Sequence, residues 1–296
     1  MGSGQSSNYT LNTTLRKKEF KWAPSLPDFR DEWCRFPIKI TDLNNNPSVN
    51  LKDDFPEVYD MHPHQSPTSI CLAGIIEYHQ QKNNFQRFKP SLNYLTWAEK
   101  KLSPTDSNFN IRDSLKALNE LGVCSESTWD NTVGTVLEET FSDITPSHEC
   151  FEEARNISST IRFKRLRSEL EQLKTSLRLG FPFIIGYSVF TSGENPQNGE
   201  IPLPDRKNKL LGGNCVCCIG YDDDSKTFII RNNKGPSWGE RGNGTLPYEY
   251  VLNSNHTGEI WVIEFEEEEF VKDECYNKGE CIVDHSASES EESDID

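Results

Sequence analysis

The 296-residue chain has no basic excess, no long apolar run and no even set of cysteines. Its 31 Lys and Arg residues stand against 47 Asp and Glu, a net charge of −16. That balance lacks the positive field that draws a protein to nucleic acid, so no nucleic-acid partner is expected. No apolar stretch approaches the ~20 residues of a membrane-spanning helix, and none stands near the N-terminus as a secretory signal would. Nine cysteines at irregular spacing point to free thiols in a reducing, intracellular compartment rather than a disulfide framework. Histidine is scarce, with six in all: His62, His64, His79, His148, His256 and His285. No internal repeat is visible.

The negative charge is concentrated at one end. Residues 264–296 hold fourteen acidic and two basic residues, −12 of the net −16. The stretch 266–296 therefore reads as a solvated acidic tail, expected to be disordered. Residues 1–50 are polar and rich in Asn, Ser and Pro, with scattered aromatics at Phe20, Trp22 and Trp33. They read as an arm laid on a domain. Met1-Gly2-Ser3-Gly4-Gln5-Ser6 fits the N-myristoylation pattern with Gly2 as acceptor, and also fits a plain flexible leader. One acyl chain binds membranes only marginally, so Arg16, Lys17, Lys18 and Lys21 would supply the second signal. A membrane face, or the interior of a virion, is the location this pattern implies.

Between arm and tail the hydrophobic period changes once. Residues 66–82, 91–102 and 111–121 predict helices. The first is apolar on most sides, with Ser66 or Ser69 as cap and Pro67 in its first turn; Gly122 suits the end of the third. Leu166, Leu170, Leu173 and Leu177 predict a fourth helix over 164–179. Strand-like runs follow at 181–190, 214–221, 227–231, 245–251 and 259–265. Helices first and strands later give an α+β layout: a domain over 51–265, with a helical lobe at about 66–180 and an antiparallel β lobe at about 181–265.

Cys71 lies at the start of the central helix, where the helix dipole and free amides would lower a thiol pKa. Gln65, six residues upstream, could donate its amide to an oxyanion. Far downstream come Gly212-Gly213-Asn214-Cys215-Val216, then Gly220-Tyr221-Asp222-Asp223, then Arg231-Asn232-Asn233-Lys234-Gly235 with Trp238-Gly239. In these motifs the chain resembles papain-like (C1-type) cysteine peptidases, in the branch found in bacteria and large DNA viruses. There Gln-x5-Cys opens the central helix, Gly-Gly-His-Ala-Val brings a histidine, and Arg-Asn-Ser-Trp-Gly brings the residue that orients it. The resemblance runs from about Leu51 to Phe265. It implies a two-lobed papain-like fold, with Cys71 at the nucleophile position, Gln65 at the oxyanion position and Asn232 at the histidine-orienting position. Two residues depart from the pattern: Asn214 stands where the general-base histidine belongs, and Lys234 replaces the tryptophan that shields it.

A carboxamide has no nitrogen that titrates near neutral pH. It can neither take the thiol proton nor protonate a leaving amine. Losing the base of such a triad costs on the order of 10⁴ to 10⁶ in rate. The resemblance thus implies a pseudopeptidase, whose cleft binds a peptide or protein or whose body is a structural component. Two alternatives remain open. One is an active thiol peptidase with a non-standard base, for which His64 is the nearest candidate in sequence. The other is a scaffold whose contacts lie on the arm and the acidic tail. No cofactor is implied. Cys215 and Cys217 fall on one face of a strand and Cys218 on the other, and they read as packed thiols; a zinc site would need Cys275 and Cys281 as well.

Overall fold

A computed structural model describes residues 20–38, 46–62, 65–83, 87–103, 108–131, 144–158, 161–265 and 282–283. Gly2, Arg16, Lys17, Lys18, His64, Cys275, Cys281, His285 and the acidic tail apart from residues 282–283 lie outside them.

Ser66 starts helix α1 (Pro67–Lys82). Its Oγ accepts from Ser69 N at 2.9 Å, and Pro67 takes the first helical position, where the missing N–H removes no bond. Leu72, Ala73, Ile75, Ile76 and Tyr78 are buried, so α1 is enclosed on most sides. Helices α2 (Leu92–Leu102) and α3 (Ile111–Leu121) pack with it, capped by Ser91 and Asn110. Gly122 ends α3 at φ 67°, and a Cβ there would stand 1.8 Å from Ala154 O. Ala154 belongs to α4 (His148–Ser158), a helix the sequence reading did not anticipate.

Among the described residues nine strands make one sheet: β1 (Trp33–Arg35), β2 (Ser48–Asn50), β3 (Ile161–Leu166), β4 (Phe183–Phe190), β5 (Leu210–Asp222), β6 (Thr227–Arg231), β7 (Asn243–Pro247), β8 (Thr257–Phe265) and β9 (Ile282–Val283). Their order is β7-β6-β5-β4-β8-β3-β1-β9, with β2 on β5, and all pairs are antiparallel except β1 with β3. Alternation splits the side chains between two cores. Ile184, Cys215, Cys217, Trp261 and Ile263 face α1 to α3. Ile185, Val216, Cys218, Ile260 and Val262 face the other way, toward α5 (Leu170–Arg178).

Four expectations change. The helix read over 164–179 is β3 followed by α5. Leu166 shares helical spacing with Leu170, but it ends a strand whose register partners on β8 run from Phe265 to Trp261. The partner strand, nearly 100 residues away, decides the outcome and is invisible to local periodicity. The strand read over 245–251 stops at Pro247 and turns into a short helix α6 (Tyr248–Leu252). In the tail, Ile282 and Val283 pair with Arg35 and Cys34 instead of lying free. Cys34 itself is disulfide-bonded, so not every thiol is free.

Candidate functional site

The residue at the tip of α1 is Pro67. Cys71 is the fifth helical residue, four positions further in, which is about one turn and ~6 Å deeper. This corrects the expectation that Cys71 opens the helix. Its N–H lies past the unpaired amides of the first turn, so the thiol does not sit over the free donors that stabilise an anion. The side chain is 2% exposed. Its Sγ lies 4.0 Å from Cys215 Sγ, and Cys217 Sγ donates to Cys71 O at 3.4 Å. Burial, and then the Cys215 thiol, push the Cys71 pKa well above that of an ordinary thiol. The geometry is that of packed sulfur.

Gln65 is fully buried, and its amide is committed elsewhere. Oε1 accepts from His62 N at 3.0 Å; Nε2 donates to Asn93 Oδ1 at 3.2 Å and to Asn131 O at 3.5 Å. It braces the loop before α1 against α2.

Asn214 and Asn232 are brought together. Asn214, 3% exposed, donates Nδ2 to Asn232 Oδ1 at 3.3 Å and accepts from Asn233 Nδ2 at 2.8 Å. Asn233 Nδ2 also reaches Cys215 O at 3.1 Å. The Tyr187 hydroxyl, across from Asn214 on β4, shares a hydrogen bond with it. The result is a knot of three carboxamides and a phenol, with burial raising the phenol pKa. None of its members exchanges a proton near neutral pH. Strand alternation directs the Cys215 thiol to Cys71, and both thiols lie near enough to the Tyr187 hydroxyl, which bonds Asn214, to act on it electrostatically.

The arm lies over the same strand. Trp22 N donates to Gly213 O at 3.1 Å, the residue just before Asn214. Phe20 packs on Gly212, and Lys234 Nζ stands 5.2 Å from the centre of the Phe20 ring. Lys234 thus keeps an aromatic neighbour, supplied by the arm. Cavities of ≈ 400 and ≈ 570 Å³ open elsewhere on the surface, and neither is lined by Cys71, Asn214 or Asn232.

His62 gives its backbone N–H to Gln65 and lines the ≈ 400 Å³ cavity, while the other described histidines pack elsewhere. His79 is buried in α1 against Tyr78 and Phe265, and burial lowers its pKa to about 3. His256 packs on Phe190 and Tyr250, and His148 is exposed beside Glu152. Among the described residues no group of His, Cys, Asp and Glu is arranged to hold a metal.

The sequence alone did not mark Asn233, Phe20, Trp22 and Glu259 as parts of this region. Ser66-Pro67 was legible as a helix start, and it fixes the tip four residues before Cys71.

No family model matches the chain. A peptidase C1-like protein of Acanthamoeba polyphaga mimivirus is 26% identical over 287 residues, covering 86% of this chain and 89% of the relative. Among solved structures, xylellain, a cysteine protease from Xylella fastidiosa, superposes with a TM-score of 0.76 at 32% identity, over 84% of this chain and 96% of its own. A procathepsin B from Trypanosoma congolense superposes at 0.63 and 14% identity, over 86% and 89%, a likeness of fold.

Proposed function

The chain belongs to the papain-like (C1-type) cysteine peptidase family, and from that premise we propose that it is a catalytically silent member whose cleft binds peptide without cutting it. One observation carries this reading: the general-base position holds Asn214, whose amide is closed into a buried group with Asn232, Asn233 and Tyr187 that contains no imidazole. A carboxamide can neither take the Cys71 proton nor protonate a leaving amine. The Cys71 sulfur is buried against Cys215, and burial pushes its pKa up. Asn214 keeps its bond to Asn232, so the scaffold that would orient a histidine survives around an amide.

The test is labelling with a peptidyl epoxide or vinyl sulfone at pH 7, read by mass spectrometry on the intact chain. The expected outcome is no modification of Cys71 while an active papain control reacts to completion. Rapid, stoichiometric labelling of Cys71, or turnover of a fluorogenic peptide at papain-like rates, would overturn the proposal.

Membrane contact through an acylated Gly2 belongs to the same proposal. Leu26 and Phe29 on the arm are 84% and 97% exposed, an apolar surface that supports it. Lys21 leaves the set of cations proposed for the contact, because it is buried at 7% exposure.

A further inference from the structure

Trp22 comes from a polar arm, yet it is 5% exposed. Three strands give up their side chains to admit it. A Cβ added at Gly186 of β4 would lie 2.1 Å from Trp22 Cζ2, one at Gly213 of β5 2.5 Å from Cε3, and one at Gly258 of β8 2.8 Å from Cη2. Each distance is shorter than any real Cβ contact, so the slot exists only because all three positions are glycine.

The end of the slot is polar and specific. Trp22 Nε1 donates to Glu259 Oε1 at 3.3 Å. Glu259 is 3% exposed and is held by the Trp261 indole at 2.9 Å and Ser25 Oγ at 2.7 Å, with Ile111 N, at the start of α3, at 3.3 Å. A fixed carboxylate aimed at an indole N–H selects tryptophan over phenylalanine, which has no donor to offer. The backbone beside the indole is gripped from two sides. Trp22 N bonds Gly213 O, while Lys21 O and Ala23 N bond Phe109 at 2.7 and 2.9 Å. Main-chain bonds of this kind hold any extended peptide, and the slot reads one side chain.

We propose that this wall of the cleft is an indole-specific subsite, with Trp22 as its resident ligand, and that a peptide partner enters by presenting a tryptophan in an extended segment in exchange for Trp22. The inference rests on reading the cleft as a peptide-binding surface, and it names the residue that such a partner must carry.

The experiment uses the full chain with Trp22→Ala and two probes: free indole, and a synthetic peptide spanning residues 18–27. Indole at millimolar concentration is expected to raise the melting temperature of Trp22→Ala by several degrees and to leave the wild type unchanged. The peptide is expected to bind Trp22→Ala, and its counterpart with phenylalanine for tryptophan to bind at least about tenfold more weakly, as loss of a bond to a charged acceptor requires. Failure of both probes overturns the proposal. Rescue by indole without peptide binding also overturns it, because Trp22 is then a core residue and not an exchangeable ligand. The intact chain labelled with 5-fluorotryptophan gives a readout that does not depend on the variant folding. Excess peptide is expected to move the Trp22 resonance to a solvent-like position, and an unmoved resonance counts against exchange. Turnover is not measured in any arm, so a chain that proved to cut peptides would sink the silent-cleft reading and leave the subsite standing.

Discussion

Two buried ionisable side chains on α1 and α2 pull the pH dependence of stability in opposite directions. Glu99 is fully buried beneath the start of α1, where Thr68 Oγ1 donates to it at 2.8 Å, and burial raises its pKa to about 7. Its folded pKa lies above the unfolded value of 4.5. The unfolded chain therefore loses its proton first as pH rises, and stability falls from about pH 4.5 to about pH 7, by up to about 3 kcal/mol. Glu99→Gln is expected to flatten that slope in urea melts taken across the interval. His79 has the opposite sign. Its pKa of about 3 lies below the unfolded 6.5, so its contribution is complete above pH 6.5 and disappears as pH falls toward 3. The two slopes oppose each other between pH 4.5 and 6.5, and Glu99→Gln should leave only the loss toward acid. A melting profile unchanged by Glu99→Gln would show that the carboxyl is not the neutral buried group described here.

At the scale of the element, the depth of Cys71 decides how its thiol behaves. Position 71 lies one turn into α1, past the unpaired amides of the first turn, and the thiol is buried against Cys215. Asn214→His alone is expected to leave peptide turnover at background, since the buried thiol stays protonated and out of reach of substrate. Pro67→Cys combined with Asn214→His is expected to put a thiol at the helix tip. Its alkylation rate by iodoacetamide should follow a pKa below the ordinary ~8.5, as for thiols at helix N-termini. Appreciable hydrolysis by Asn214→His without a change at 67 would show that Cys71 is reachable after all. The helix start itself was legible, since Ser66, Pro67 and the apolar run that follows are local signals. The spacing Gln65-x5-Cys71 carries no information about depth within a helix, whereas the cap and the proline do.

At the scale of the whole molecule, the arm, the helices and the sheet close on one another. Asp31, in the arm, binds Arg112 of α3 at 2.7 Å and Arg165 of β3 at 3.2 Å, while Glu259 ties Trp22 and Ser25 to β8. Membrane association is tested at this scale too. The N-myristoylated protein is expected to float with phosphatidylserine-containing vesicles, and Gly2→Ala to stay in solution, because stable anchoring takes the acyl chain together with the basic cluster. Equal flotation of both would remove the lipid from the proposal. Sequence by itself determined the family, the α+β order and the three helices read at 66–82, 91–102 and 111–121, and its motif has Asn214 where the family pattern has histidine. Each of these is written in local periodicity, in caps or in motifs read along the chain. Only the tertiary structure decided the packing of Cys71 against Cys215, the commitment of Gln65 to Asn93, the strand at 161–166 and the seat of Trp22. These depend on partners 28 to 237 residues away. A contact over that distance is set by how strands and helices stack, and no short window of residues records it.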